Sequence, residues 1–181
     1  GICIIYNGSN GSTYADELII NNCVNNGEIE GDTVAGIIGN SSGNLKLSDC
    51  ENNGAINGRY SAGGIAQCIE NKNSNEAEVS NCINNGNVFG GEEAAGIIDY
   101  AEGITVTNCI NNGNISSNGY VGGIFSYTSS VKGTGLVNNG KISGLEDIGG
   151  ISAYDEGNSI FSKLYNTGVI DEENIGAQVS N

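Results

Sequence analysis

Three sets of residues in this 181-residue chain have types and spacings that could do chemistry. Asp99 lies close to Glu102, and Asp155 adjoins Glu156. Carboxylate pairs of this kind supply the acid and the base in polysaccharide cleavage. Six cysteines, Cys3, Cys23, Cys50, Cys68, Cys82 and Cys109, offer thiols for nucleophilic attack, metal ligation or disulfides. Tyr100, Tyr127 and Tyr154 recur every 27 residues, with Phe125 close by. Aromatic rings that carry a hydroxyl can stack on sugar rings and hydrogen-bond to them.

The residues that would have to accompany these groups restrict the possibilities. There is no His, which removes imidazole catalysis, His-ligated metal and the usual partner of a nucleophilic Cys. No Cys-x-x-Cys pair supports a zinc or redox centre. Neither carboxylate pair adjoins a basic residue, and Arg59 is the single Arg. A non-catalytic chain without a cofactor is therefore expected. The formal charge of −15 would repel a phosphate backbone, so no nucleic acid is expected as partner. No apolar run approaches a membrane span, so no membrane insertion is expected.

The elements that would position these residues are set by a repeat. Asn-Asn-Gly occurs at 25–27, 52–54, 84–86, 111–113 and 138–140, with Asn166-Thr167-Gly168 as a sixth copy. Its glycines are spaced 27, 32, 27, 27 and 28 residues apart. Ten or eleven residues after each of the first five glycines comes the Ile of a Gly-Ile pair: Ile37, Ile65, Ile97, Ile124 and Ile151. Gly1-Ile2 and Gly176-Ala177 read as outlying copies. Two residues before each Asn-Asn-Gly stands a small apolar residue: Cys23, Cys50, Cys82, Cys109, then Leu136 and Leu164. Length varies only between Gly-Ile and this column, where the stretches around 7–12 and 71–75 read as loops.

Each apolar patch is short and bounded by Gly or Asn, and no 3.6-residue periodicity is present. Ile is β-branched and suits strands. The period predicts an all-β fold, a parallel β-solenoid of about six coils with three short strands per coil. Equivalent residues would then stack at about 4.8 Å. The Asn-Asn-Gly turn suggests left-handed backbone, which Asn tolerates and Gly adopts freely. Asn25, Asn52, Asn84, Asn111, Asn138 and Asn166 are expected to form an amide ladder, and the Gly-Ile isoleucines an apolar one.

Val121-Gly122-Gly123-Ile124 followed by Asn108-Cys109-type and Asn-Gly-x-Ile segments resembles GLUG-motif repeats. The resemblance covers nearly the whole chain. It implies the repeat region of a bacterial cell-surface or secreted protein, as in the non-catalytic repeats of IgA-specific metallopeptidases. It brings no catalytic residues with it. Residues 1–181 accordingly read as one solenoid domain, a fragment of a longer chain whose neighbouring domains are partners.

The remaining readings concern side chains. Cysteines of one column that Leu later replaces read as buried thiols rather than disulfides, because stacked Cβ vectors run parallel. Cys3 and Cys68 would meet, if at all, across one coil step. Acidic residues before Gly-Ile, including Asp32, Glu92 and Glu146, read as a solvated edge. The expected role is that of spacer or adhesion surface. The alternatives are a module that binds a host or microbial glycan, or a protein, through Tyr100, Tyr127, Tyr154 and Phe125, and a carbohydrate-active enzyme using Asp99, Glu102, Asp155 and Glu156.

Overall fold

The computed structural model describes residues 3–7, 17–71, 77–172 and 179–180. The outlying Gly1-Ile2 and Gly176-Ala177 copies, and most of the two long loops, lie outside these residues. The described residues form strands and turns with no helix, stacked as a parallel β-solenoid of about six turns. The expected fold class is therefore present.

The two coils before Ile83 hold four strands, and from Ile83 onward each complete coil holds five short strands rather than three. In one coil they are Ile110–Asn111, Ile115–Ser117, Tyr120–Gly122, Phe125–Ser129 and Lys132–Thr134. Phe125–Ser129 belongs to sheet A, Lys132–Thr134 to sheet B and Ile110–Asn111 to sheet C. The other two both belong to sheet D, which bends between them. In sheet D the long strand Ile56–Gly63 pairs with both Val88–Gly90 and Glu93–Ala95 of the next coil. The bend costs at most the two or three residues of a turn, which sequence spacing does not resolve.

Stacking like residues creates two cores. The larger lies within sheets A, B and C and contains Ile37, Ile65, Ile97 and Ile124, all fully buried, with Ile151 packed against it. The smaller sits inside the bend of sheet D, around Ile56, Val88, Ile115 and Ile142. Fully burying an Ile or Leu contributes about 2–3 kcal/mol, and a single coil cannot enclose either core alone.

The Asn ladder and the Gly-Ile glycines meet at the waist between the two cores. Asn25 Nδ2 donates to Asn52 Oδ1 at 2.7 Å, and the chain of bonds continues through Asn84, Asn111 and Asn138 to Asn166. The second N–H of each carboxamide donates to the glycine carbonyl two residues on, as from Asn111 to Gly113 at 2.8 Å. Asn52, Asn84, Asn111 and Asn138 are completely buried, and each has both donors satisfied.

The Asn-Asn-Gly turn is not left-handed. Left-handed residues occur earlier, before the Cys column, at Asn22, Asp49, Asn81, Asn108 and Lys163, with φ between 52° and 53°, and at Gly135. Glycine is required in Asn-Asn-Gly by close stacking instead. A Cβ on Gly54, Gly86, Gly113 or Gly140 would stand 1.8–1.9 Å from the carbonyl oxygen of the glycine one coil below.

Candidate functional site

The side chains singled out for chemistry sit mostly on sheet A and the bend beside it. The register pairs Tyr100 with Tyr127 and Tyr127 with Tyr154. Tyr100 and Tyr127 stack with ring centroids 4.7 Å apart and planes 8° apart. Tyr127 and Tyr154 follow at 5.3 Å and 30°. Tyr120, from the bend of sheet D, tilts against Tyr154 at 5.9 Å. The rings thus cover one another's faces, and the column presents edges and hydroxyls. Among the described residues, the outer face of Tyr154, which is 43 % exposed, is the part of this column left open to a flat ligand.

Two of the three hydroxyls are engaged too. Tyr100 donates to Glu102 Oε2 at 3.1 Å. Burial and the neighbouring Glu102 push the Tyr100 phenol well above its usual range. A hydrogen bond to Glu156 pushes Tyr127 up to about 12. Phe125 does not join this surface. It is fully buried in the larger core, facing Phe161 at 6.0 Å, because it occupies the inward column of Ile98. Its assignment to a binding face is corrected accordingly.

The four carboxylates do not converge. Asp99 is fully buried, and Asp155 belongs to a different column two coils on, the one that contains Ala101 and Thr128. Asp155 accepts from Thr128 Oγ1 at 3.0 Å and Ser159 Oγ at 2.6 Å. Asp99 instead forms a small polar centre behind the tyrosines. Ser126 Oγ donates to its carboxyl, and Gln67 Nε2 reaches Oδ2 at 3.3 Å. Burial raises the Asp99 carboxyl to about 7, and the charge of nearby Glu93 adds to this against the Ser126, Gln67 and Ser61 hydrogen bonds. Glu93 is itself raised by burial and by Glu92. Such a carboxyl can hold a proton near neutrality, but no substrate reaches it through a fully covered side chain.

The cysteine column is a row of thiols. Cys23, Cys50, Cys82 and Cys109 form no disulfide, and each S–H donates to the carbonyl two residues earlier at 3.1–3.4 Å. Contact with Cys109 and burial raise Cys82 to about 12, and Cys50 is raised further. Cys3 and Cys68 are not one coil step apart. Cys3 pairs with Ile38 and Cys68 with Asn40, which puts them in different columns two coils apart. Among the described residues, no three of Cys, Asp and Glu converge as a metal site would require.

Sequence reasoning missed two features here. The second Asn of each repeat forms an outer ladder: Asn53 donates to Asn26 at 3.0 Å, Asn85 to Asn53, Asn112 to Asn85 and Asn139 to Asn112, each at 2.8 Å. The doubled Asn was the available signal. The Gln67–Asp99–Ser126 centre had none, since three different residue types occupy that column.

No protein-family model matches this chain, and no curated protein matches it.

Proposed function

We propose that this chain is a non-catalytic repeat segment of a bacterial cell-surface or secreted protein, serving as a spacer or an adhesion surface. The observation that best supports the reading is the unbroken ladder from Asn25 to Asn166, which pins successive coils at one spacing. Such a stack transmits length and stiffness. The groups with chemical potential are tied up internally: hydroxyls on carboxylates, thiols on carbonyls, rings on rings. The resemblance to GLUG-type repeats supports the same reading.

A second reading is glycan binding. One observation favours it: the open outer face of Tyr154, next to Ser152 and Asp155, borders a cavity that Ile151, Phe161 and Leu164 also line. A broad glycan array probed with the 181-residue chain and with Tyr154→Ala decides between them. The spacer reading expects no retention of either protein. Retention lost in Tyr154→Ala overturns it in favour of glycan binding. Release of reducing ends from a polysaccharide panel would overturn the non-catalytic assignment.

A further inference from the structure

We infer that Asn118–Gly119 is a self-modification site, at which the folded chain deamidates while the Asn-Gly pairs of the outer ladder are protected. Asn-Gly occurs nine times in the sequence. Glycine has no Cβ to shield its peptide nitrogen, which makes this dipeptide prone to cyclise in an unconstrained chain. The glycine nitrogen loses its proton and attacks Cγ of the Asn carboxamide. A C–N bond forms, the Cγ–Nδ2 bond breaks, and the amide nitrogen leaves as ammonia with the proton. Water then opens the cyclic imide at either carbonyl, giving aspartate or isoaspartate. One water is consumed and one ammonia released, and no other reactant takes part.

The reaction needs a carboxamide free to swing over the next peptide nitrogen. Five of the nine pairs belong to the outer ladder, which holds the carboxamide still. Asn53, Asn85 and Asn112 each donate to an Asn one coil below and accept from an Asn one coil above. Asn139 donates to Asn112 and accepts from Thr167 Oγ1 at 2.7 Å. Asn57–Gly58 lies within a strand paired on both sides, and Asn57 Nδ2 donates to Glu28 Oε1 at 2.7 Å. The glycines that follow Asn7 and Asn10 lie outside the described residues.

Asn118–Gly119 is the remaining pair. It forms the turn at the bend of sheet D, between Ile115–Ser117 and Tyr120–Gly122. Asn118 is exposed, and its carboxamide makes no hydrogen bond among the described residues. The Gly119 N–H donates to a side chain, Ser117 Oγ at 3.1 Å, rather than to a carbonyl of the next coil. Stacking fixes the reactive partner in place. A Cβ on Gly119 would stand 2.4 Å from the carbonyl oxygen of Glu92, so the close approach of the coils demands glycine after Asn118. Either product sets a new carboxylate in the cavity that Asn118 lines with Glu92, Glu93 and Glu146. Isoaspartate also lengthens the backbone by one methylene at the bend.

The test is peptide mapping by mass spectrometry after incubation in mildly alkaline buffer made with oxygen-18 water, which marks each converted residue. In guanidinium, Asn53, Asn85, Asn112, Asn118 and Asn139 should convert at comparable rates. In the folded chain Asn118 should convert nearly as fast as when unfolded. The four ladder residues should slow by roughly tenfold or more, because two hydrogen bonds have to break before the carboxamide can turn. A folded chain whose ladder converts as fast as Asn118 overturns the inference. So does an Asn118 that stays intact while the unfolded chain reacts. Asn112→Ala then tests the cause, since it takes one partner from both Asn85 and Asn139. With circular dichroism unchanged, conversion at those two residues should speed up and conversion at Asn118 should not. Unaltered rates at Asn85 and Asn139 would overturn the ladder as the source of protection.

Discussion

A Cβ placed on Gly96 would stand 2.5 Å from Cγ of Asn111 and 2.2 Å from the carbonyl oxygen of Gly123. The two most regular anchors of the repeat, Gly-Ile and Asn-Asn-Gly, are thus two sides of one contact. It recurs at Gly36 with Asn52, Gly64 with Asn84 and Gly123 with Asn138. The carboxamide fills the space that a side chain on the glycine would need, and both positions are constrained together.

Glycines of the same motif should therefore respond differently to Ala. On Gly113 a Cβ would meet Gly86 O at 1.9 Å, whereas on Gly27 its nearest neighbour is Asn25 Oδ1 at 3.9 Å. Gly113→Ala should destabilise by about 3 kcal/mol or more, through overpacking against backbone that cannot move aside. Gly27→Ala should change stability by less than about 1 kcal/mol. Urea unfolding of both variants checks this, and equal losses would rule out stacking as the reason for the glycine.

The repeat made the stack, the columns and the inner ladder legible in advance, because a column of identical residues in a solenoid is a statement about contact. What sequence could not resolve lay within a coil. The bend of sheet D hides in turns as short as Asn118-Gly119. Left-handed geometry sits at Asn108 rather than at Asn111-Asn112-Gly113, and the two placements look alike where Asn is this abundant. Strict alternation would put Phe125 on the same face as Tyr127, two residues on, yet Phe125 and Ser126 are both buried, and this break in alternation turns Phe125 inward. Asp99 drew notice as a possible catalytic acid, and its burial between Gln67 and Ser126 depends on neighbours that share no pattern with it.

The two Asn ladders should differ in energetic weight. Asn111 is completely buried, accepts from Asn84 and donates to Asn138 and Gly113. Asn111→Ala strands two buried amide groups and leaves a void, which should cost roughly 3–5 kcal/mol. Asn112, in the outer ladder, is exposed, and water replaces its lost partners. Asn112→Ala should cost less than about 1 kcal/mol. Thermal and urea denaturation of the pair test this contrast, and a larger loss in the outer variant would contradict it.

Alkylation should follow position in the cysteine column. Cys23 is partly exposed at the first coil, while Cys50, Cys82 and Cys109 are buried. A thiol raised to about 12, as in Cys82, is only about one part in ten thousand thiolate at pH 8. Iodoacetamide on the native chain should label Cys23 first and spare the other three until denaturant is added. Mass spectrometry of the digested protein reads the order directly. Early labelling of Cys82 in the native chain would mean that the column opens readily.

Asp99 should make the fold less stable as pH rises toward neutrality. Its carboxyl is held at about 7 in the folded chain against about 3.9 when unfolded. Between these values the folded state binds the extra proton, so unfolding free energy falls as pH increases from about 4 to about 7 and then levels off. The half-buried Glu93, also raised, acts in the same direction. Asp99→Asn keeps the shape, offers Ser126 an acceptor and removes the buried charge. It should be more stable than the parent by roughly 2–4 kcal/mol at pH 8, with the difference shrinking toward zero near pH 4. Urea unfolding of parent and variant at several pH values isolates this one group, because all other carboxylates are common to both. A difference that stays constant across the series would show that Asp99 is ionised throughout, and that Ser126 and Gln67 alone offset its burial.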